Sequence, residues 1–132
     1  MTQLNIRIYY EDTDAGGIVY HANHLKYMER GRTEWLRELG LEQDQLMAQN
    51  IAFVASEVAI KYVHPARFNQ LITVTTEVAK MRRVGMLFKQ EIHDQDGQLI
   101  ASADVTIAAV DPTSMKLIPI PLPIKEVIER AL

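Results

Sequence analysis

Between Tyr9 and His24 the chain sets three acids, two of its four histidines and three of its five tyrosines in one run, Tyr9-Tyr10-Glu11-Asp12-Thr13-Asp14-Ala15-Gly16-Gly17-Ile18-Val19-Tyr20-His21-Ala22-Asn23-His24. The run joins an alternating, strand-like pattern to the start of a helical one. Backbone N–H groups in the first turn of a helix have no intrahelical partners and carry partial positive charge, so an oxyanion forming beside them is stabilised. Asp14 lies just upstream of that turn. A carboxylate there can attack a carbonyl carbon directly or take a proton from water, while amides near His21 polarise the carbonyl oxygen. Gly16 and Gly17 let the backbone bend tightly and let a substrate come close.

The same residues allow plainer readings, and residue types alone leave them open. Asp12 and Asp14 also suit a helix cap or a solvated turn. A calcium loop of the EF-hand kind needs more oxygen ligands and ends in Glu where this chain has Asn23. His21 and His24 stand three apart, as on one helical face, yet no third metal ligand is evident, so no metal is expected. Arg82 and Arg83 fall between two strand patterns, where charges are ordinarily just solvated; their planar forks also suit phosphate oxygens. Other chemistries are excluded more firmly. The only serines, Ser56, Ser102 and Ser114, stand outside any Gly-x-Ser-x-Gly elbow, no Walker loop or Gly-x-Gly-x-x-Gly occurs, and there is no cysteine.

The elements that must position this run are legible from periodicity. Leu4, Ile6, Ile8 and Tyr10 alternate with polar neighbours, which predicts a first strand over Leu4 to Tyr10. From about Ala22 to Leu39 the spacing turns helical, with Leu25, Met28, Trp35, Leu36 and Leu39 on one stripe and Gly40 as the stop. Gly31 inside that helix costs about 1 kcal/mol relative to Ala, which implies that something packs closely against it. Residues 41–50 predict a short second helix and Ile124 to Leu132 a terminal one. Four strands fill the space between, carrying Val54, Val58, Ile60 and Tyr62, then Ile72, Val74 and Val78, then Val84, Met86, Phe88 and Ile92, then the alternating set from Leu99 to Ala109. One long helix followed by an antiparallel meander is an α+β arrangement in which a sheet covers a helix. The open edges of such a sheet favour pairing about a two-fold axis, so a homo-oligomer is expected.

Bulk properties bound the rest. A chain of 132 residues with 48% apolar and 23% charged residues suits one domain with one core. A net charge of −3 with 14 basic residues argues against nonspecific nucleic-acid binding. The N-terminus lacks a basic region followed by an apolar run, and no stretch approaches the ~20 apolar residues that span a bilayer. Without cysteines, a soluble cytoplasmic protein is the expectation.

The stretch from Tyr10 to Asn23 resembles the signature of the 4-hydroxybenzoyl-CoA thioesterase family, and most of all its bacterial Tol-Pal-associated acyl-CoA thioesterases. The helix Tyr27-Met28-Glu29-Arg30-Gly31-Arg32-Thr33-Glu34 is similar too, as are Tyr62-Val63-His64-Pro65-Ala66-Arg67 and Val110-Asp111-Pro112, so the likeness runs through nearly the whole chain as a single domain. The resemblance implies a hot-dog fold, an antiparallel sheet of about five strands wrapped around one long helix, active as dimers or tetramers with sites between subunits. It implies hydrolysis of acyl-coenzyme A without metal or cofactor. The family's catalytic aspartate falls on Asp14, and the position whose backbone amide polarises the thioester carbonyl falls on His21. Gly16, Gly17, Tyr20, Arg82 and Arg83 are the expected substrate-binding residues. The hydroxybenzoyl-specific enzyme has an aromatic residue where His21 stands, so its substrate does not carry over. Two other readings compete: a noncatalytic scaffold for acyl-carrier protein or lipid-synthesis enzymes, and a hot-dog hydratase, whose relatives space Asp and His more closely.

Overall fold

The computed structural model describes residues 2–132. Five strands form one antiparallel sheet in the order β1-β3-β4-β5-β2. They are β1 (Thr2–Arg7), β2 (Ala52–Tyr62), β3 (Leu71–Arg82), β4 (Gly85–His93) and β5 (Leu99–Val110). The helices are α1 (Asn23–Glu38), α2 (Gln43–Ala48) and α3 (Leu122–Arg130). Among the described residues, no helix is long and apolar enough to cross a membrane.

The first strand stops at Arg7 rather than running on to Tyr10. The carboxylate of Asp12 accepts the Tyr9 N–H at 2.7 Å and the Asp12 N–H returns to the Tyr9 carbonyl at 3.0 Å, which winds Tyr10–Asp12 into a 3-10 turn. Ile8, fully buried, is the last apolar anchor before that turn.

Helix α1 buries Tyr27, Met28, Gly31, Trp35 and Leu36 against the sheet. Its end is set by Gly40 at φ +81°, a conformation that only glycine adopts without strain, and by the Leu41 N–H bonding the Leu36 carbonyl at 3.0 Å. The close approach expected at Gly31 is present. A Cβ there would lie 2.6 Å from Thr76 Oγ1 and 3.0 Å from both Gln90 Nε2 and Val74 Cγ1. The buried amide of Gln90 donates to the Met28 carbonyl at 2.8 Å and to Thr76 Oγ1 at 2.9 Å, while its oxygen accepts from Arg32 at 3.0 Å, so helix and sheet share one polar clamp.

Leu25 departs from the expected core stripe, with 40% of its surface exposed. Leu25 stands one turn before Glu29, and Glu29, Arg32 and Leu36 form the flank of α1 that borders a hollow shared with Phe53 of β2 and Phe88 of β4. Val58 and Tyr62 of β2, expected to share a covered face, are likewise open. Strand β2 is bonded only to β5, so its outer edge has no neighbour within the chain.

Candidate active site

The acid run folds into a narrow hairpin. The Asp14 N–H bonds the Ile18 carbonyl at 2.9 Å, the Gly17 N–H returns to the Asp14 carbonyl at 3.0 Å, and Thr13 pairs with Val19. Gly17 makes the reversal at φ +77°. The base of the hairpin is tied to the loop after β2, through the Val19 N–H on the Ala66 carbonyl at 2.8 Å and a bridge from Ile18 to Arg67. Asp14 therefore sits at a fixed hairpin tip with its carboxylate exposed, accepting the Gly16 N–H at 2.8 Å.

Asp12 joins this hairpin to the helix. Its carbonyl accepts the Tyr20 N–H at 2.9 Å and Asn23 Nδ2 at 3.3 Å. The Tyr27 hydroxyl is buried beside it without a hydrogen-bond partner. Burial, and then the charge of Asp12, push the Tyr27 phenol far above its ordinary pKa.

At the opening of α1 the Asn23 N–H bonds the Tyr20 carbonyl at 2.9 Å. The His21 carbonyl accepts Tyr62 Oη at 3.0 Å, with His24 Nδ1 also at 3.0 Å. The N–H groups of His21 and Ala22 have no hydrogen-bond acceptor among the described residues. Two amide donors are thus open at the place where sequence reasoning expects a carbonyl oxygen to be polarised. The Tyr20 ring lies 4.6 Å from that of His21. His24 is buried against the Tyr27 and Tyr62 rings, and burial holds its pKa below 6.5.

The structure thus brings Asp14, Gly16, Gly17, Tyr20 and His21 onto one continuous hairpin-to-helix unit. It does not bring Arg82 and Arg83 there within the chain. They occupy the β3–β4 turn, and Arg82 ends a strand that starts at Leu71 beside the hairpin, about 36 Å away at ~3.3 Å per residue. Tyr62 and His24 were not singled out for this site by sequence reasoning. Tyr62 is 41 positions from the carbonyl it bonds. Among the described residues, no group of three His, Cys, Asp or Glu is arranged to hold a metal ion.

Two hollows complete the description. One of about 210 Å³ lies between α1 and the sheet, lined by Arg32, Leu36, Phe53, Met86, Phe88 and Ile107. It is smaller than the pockets that take drug-sized ligands, which run to roughly 300–1,000 Å³. Burial lowers the pKa of the Arg32 guanidinium on its wall. A wider hollow, about 570 Å³, lies on the outer face of the sheet among Lys61, Glu77, Lys89, Glu91 and Asp104. Neither hollow shares a residue with the hairpin; the wider one is lined mainly by charged and polar side chains, the smaller one mainly by apolar ones.

Residues 9–132 match the model of the thioesterase-like superfamily, which is nearly the whole chain. The chain belongs to this family. An acyl-CoA thioester hydrolase, YbgC, of Escherichia coli is 42% identical over 111 residues, covering 84% of this chain and 83% of that protein. The acyl-CoA thioesterase YbgC of Haemophilus influenzae is 41% identical over 121 residues, with 91% and 88% covered. Among solved structures, a DHNA-CoA thioesterase from Staphylococcus aureus superposes with a TM-score of 0.94, covering 98% of this chain and 89% of that one. At 22% identity that likeness speaks for the fold alone, and it confirms the hot-dog arrangement expected from the sequence. A probable thioesterase from Bartonella henselae is 30% identical with a TM-score of 0.85, covering 91% and 98%.

Proposed function

We propose that the chain hydrolyses the thioester bond of acyl-coenzyme A, with Asp14 acting on the carbonyl carbon or on the attacking water. The observation that carries this reading is the pair of free amides at His21 and Ala22, on the same rigid unit as the Asp14 hairpin. Both routes, direct attack and water activation, pass through an oxyanion on the former carbonyl oxygen, and these amides stabilise it. The carbon–sulfur bond then breaks and the coenzyme thiolate leaves; in the water route the acyl group departs at once as a carboxylic acid, and in the direct route it stays on Asp14 as a mixed anhydride until water cleaves it, the proton of that water passing to the thiolate in either case.

Two copies paired antiparallel through the free edge of β2 complete the site in this reading. Such a pair sets the β3–β4 turn of one copy at the hairpin end of the other, which brings Arg82 and Arg83 within reach of coenzyme phosphates. It also turns the 210 Å³ hollow of one copy toward the hairpin of its mate, as a slot for the end of the acyl chain.

The test is thiol release from an acyl-CoA panel, which the absence of cysteine in the protein keeps free of background. Asp14→Asn is expected to lower turnover by at least roughly a hundredfold, the scale of a positioned acid-base group. Near-native turnover in that variant rejects the assignment.

A further inference from the structure

We propose that Tyr62 and His24 are positioning residues that aim a second oxyanion donor, the N–H of Ala22, beside that of His21. The inference rests on the thioesterase reading above and adds two residues that act through the backbone.

A peptide group is planar and trans, so its C=O and N–H point in opposite directions and fixing one fixes the other. The Asn23 N–H holds the Tyr20 carbonyl at 2.9 Å and so aims the N–H of His21. In the next peptide, Tyr62 Oη and His24 Nδ1 hold the His21 carbonyl, each at 3.0 Å, and so aim the N–H of Ala22. Residues 20–23 form a turn whose third residue, Ala22, has φ −69° and ψ −21°. That conformation excludes a type II reversal and places His21 in the right-handed helical region as well. Successive N–H groups in that region point along a common direction, so the two free donors open toward the same side of the turn.

The two anchors come from different elements. His24 belongs to α1 itself and is buried, so its ring is fixed by packing. Tyr62 ends β2, with its ring edge-on to His24 at 5.2 Å and to His21 at 6.1 Å. It is 47% exposed, so loss of its hydroxyl removes a hydrogen bond without opening a core cavity. No acid-base step is assigned to Tyr62; its hydroxyl is committed to the carbonyl.

The experiment is a cycle of two changes measured on the intact protein with a good acyl-CoA substrate. Tyr62→Phe removes the hydroxyl, and replacing Ala22 by lactic acid converts its amide to an ester, which removes the N–H and also makes the His21 carbonyl a weaker acceptor for Tyr62. Each change alone is expected to lower kcat about tenfold or more with KM unchanged, since a 1 Å misplacement can cost ~100-fold. Together they are expected to cost little more than the ester alone, because the hydroxyl acts through the donor already removed. Thermal midpoint and molecular mass in solution are expected to match the parent protein. Unchanged kcat in Tyr62→Phe, a rise confined to KM, a shift in mass, or fully multiplicative losses would each overturn the proposal. If Asp14→Asn abolishes turnover while Tyr62→Phe leaves it intact, the thioesterase reading stands and this inference falls; a parent protein without turnover sinks both.

Discussion

His24 carries a consequence beyond aiming a peptide. Its folded pKa lies below 6.5, chiefly because burial disfavours the imidazolium, and the groups around it are the His21 ring and the phenol rings of Tyr27 and Tyr62, none of them an acid. Above pH 6.5 the ring is neutral in both folded and unfolded chains and its contribution to stability is complete. As pH falls below 6.5 the unfolded chain binds the proton first, so stability declines down to the folded pKa and then levels off. Urea midpoints taken between about pH 8 and about pH 5 should therefore fall for the parent protein and fall less for His24→Gln. Equal slopes would mean that other groups dominate. The same site shows which residues a sequence reveals. Asp14, the glycines and His21 stand in one contiguous run whose residue types announce a turn, a carboxylate and a helix opening. The hydroxyl of Tyr62 reaches them only because the end of β2 lies beside the opening of α1, and no local spacing encodes that contact.

Among the elements, α1 was legible because its apolar spacing and terminal glycine act locally, and the observed Asn23–Glu38 lies within the expected span. The first strand was read too long because alternation alone does not register the Asp12 carboxylate that folds Tyr9 to Asp12 into a turn. The Gly31 signal was correct in kind, and its partners, Thr76, Gln90 and Val74, now give it a measurable consequence. Adding one methyl group at Gly31 gains helix propensity but places Cβ 2.6 Å from Thr76 Oγ1, and its other neighbours belong to the clamp that Gln90 makes with Met28. Overpacking of this kind costs about 1–3 kcal/mol, more than the ~1 kcal/mol that alanine recovers. Gly31→Ala is expected to lower the urea midpoint of unfolding, and the added change Thr76→Ser, which removes the β-branch that restricts χ1 and so lets the hydroxyl swing off the new methyl, should restore part of it. A Gly31→Ala variant more stable than its parent would show that the helix shifts freely on the sheet.

At the scale of the molecule, β2 is an edge strand whose outer side has no neighbour among the described residues. Val58 on it is 40% exposed, and the β2 backbone offers a row of unpaired groups beside it. An 11-residue edge with apolar side chains is a template for pairing, and the proposed second copy would satisfy it with the same edge about a two-fold axis. Val58 shares the alternation of Ile60 and Tyr62, and Tyr62 reaches the start of α1, so Val58 projects from the helix side of the edge. Because Val58 is half open in the single chain, an acid at that position leaves the fold of one protomer intact. In a paired edge the same acid is buried without a partner charge, which is strongly unfavourable. Val58→Asp is therefore expected to shift the protein toward monomers in light scattering, with far-UV circular dichroism unchanged, and to abolish thiol release in parallel. Full activity in a Val58→Asp monomer would place the whole site within one chain, and an oligomer that survives the change would move the interface away from β2.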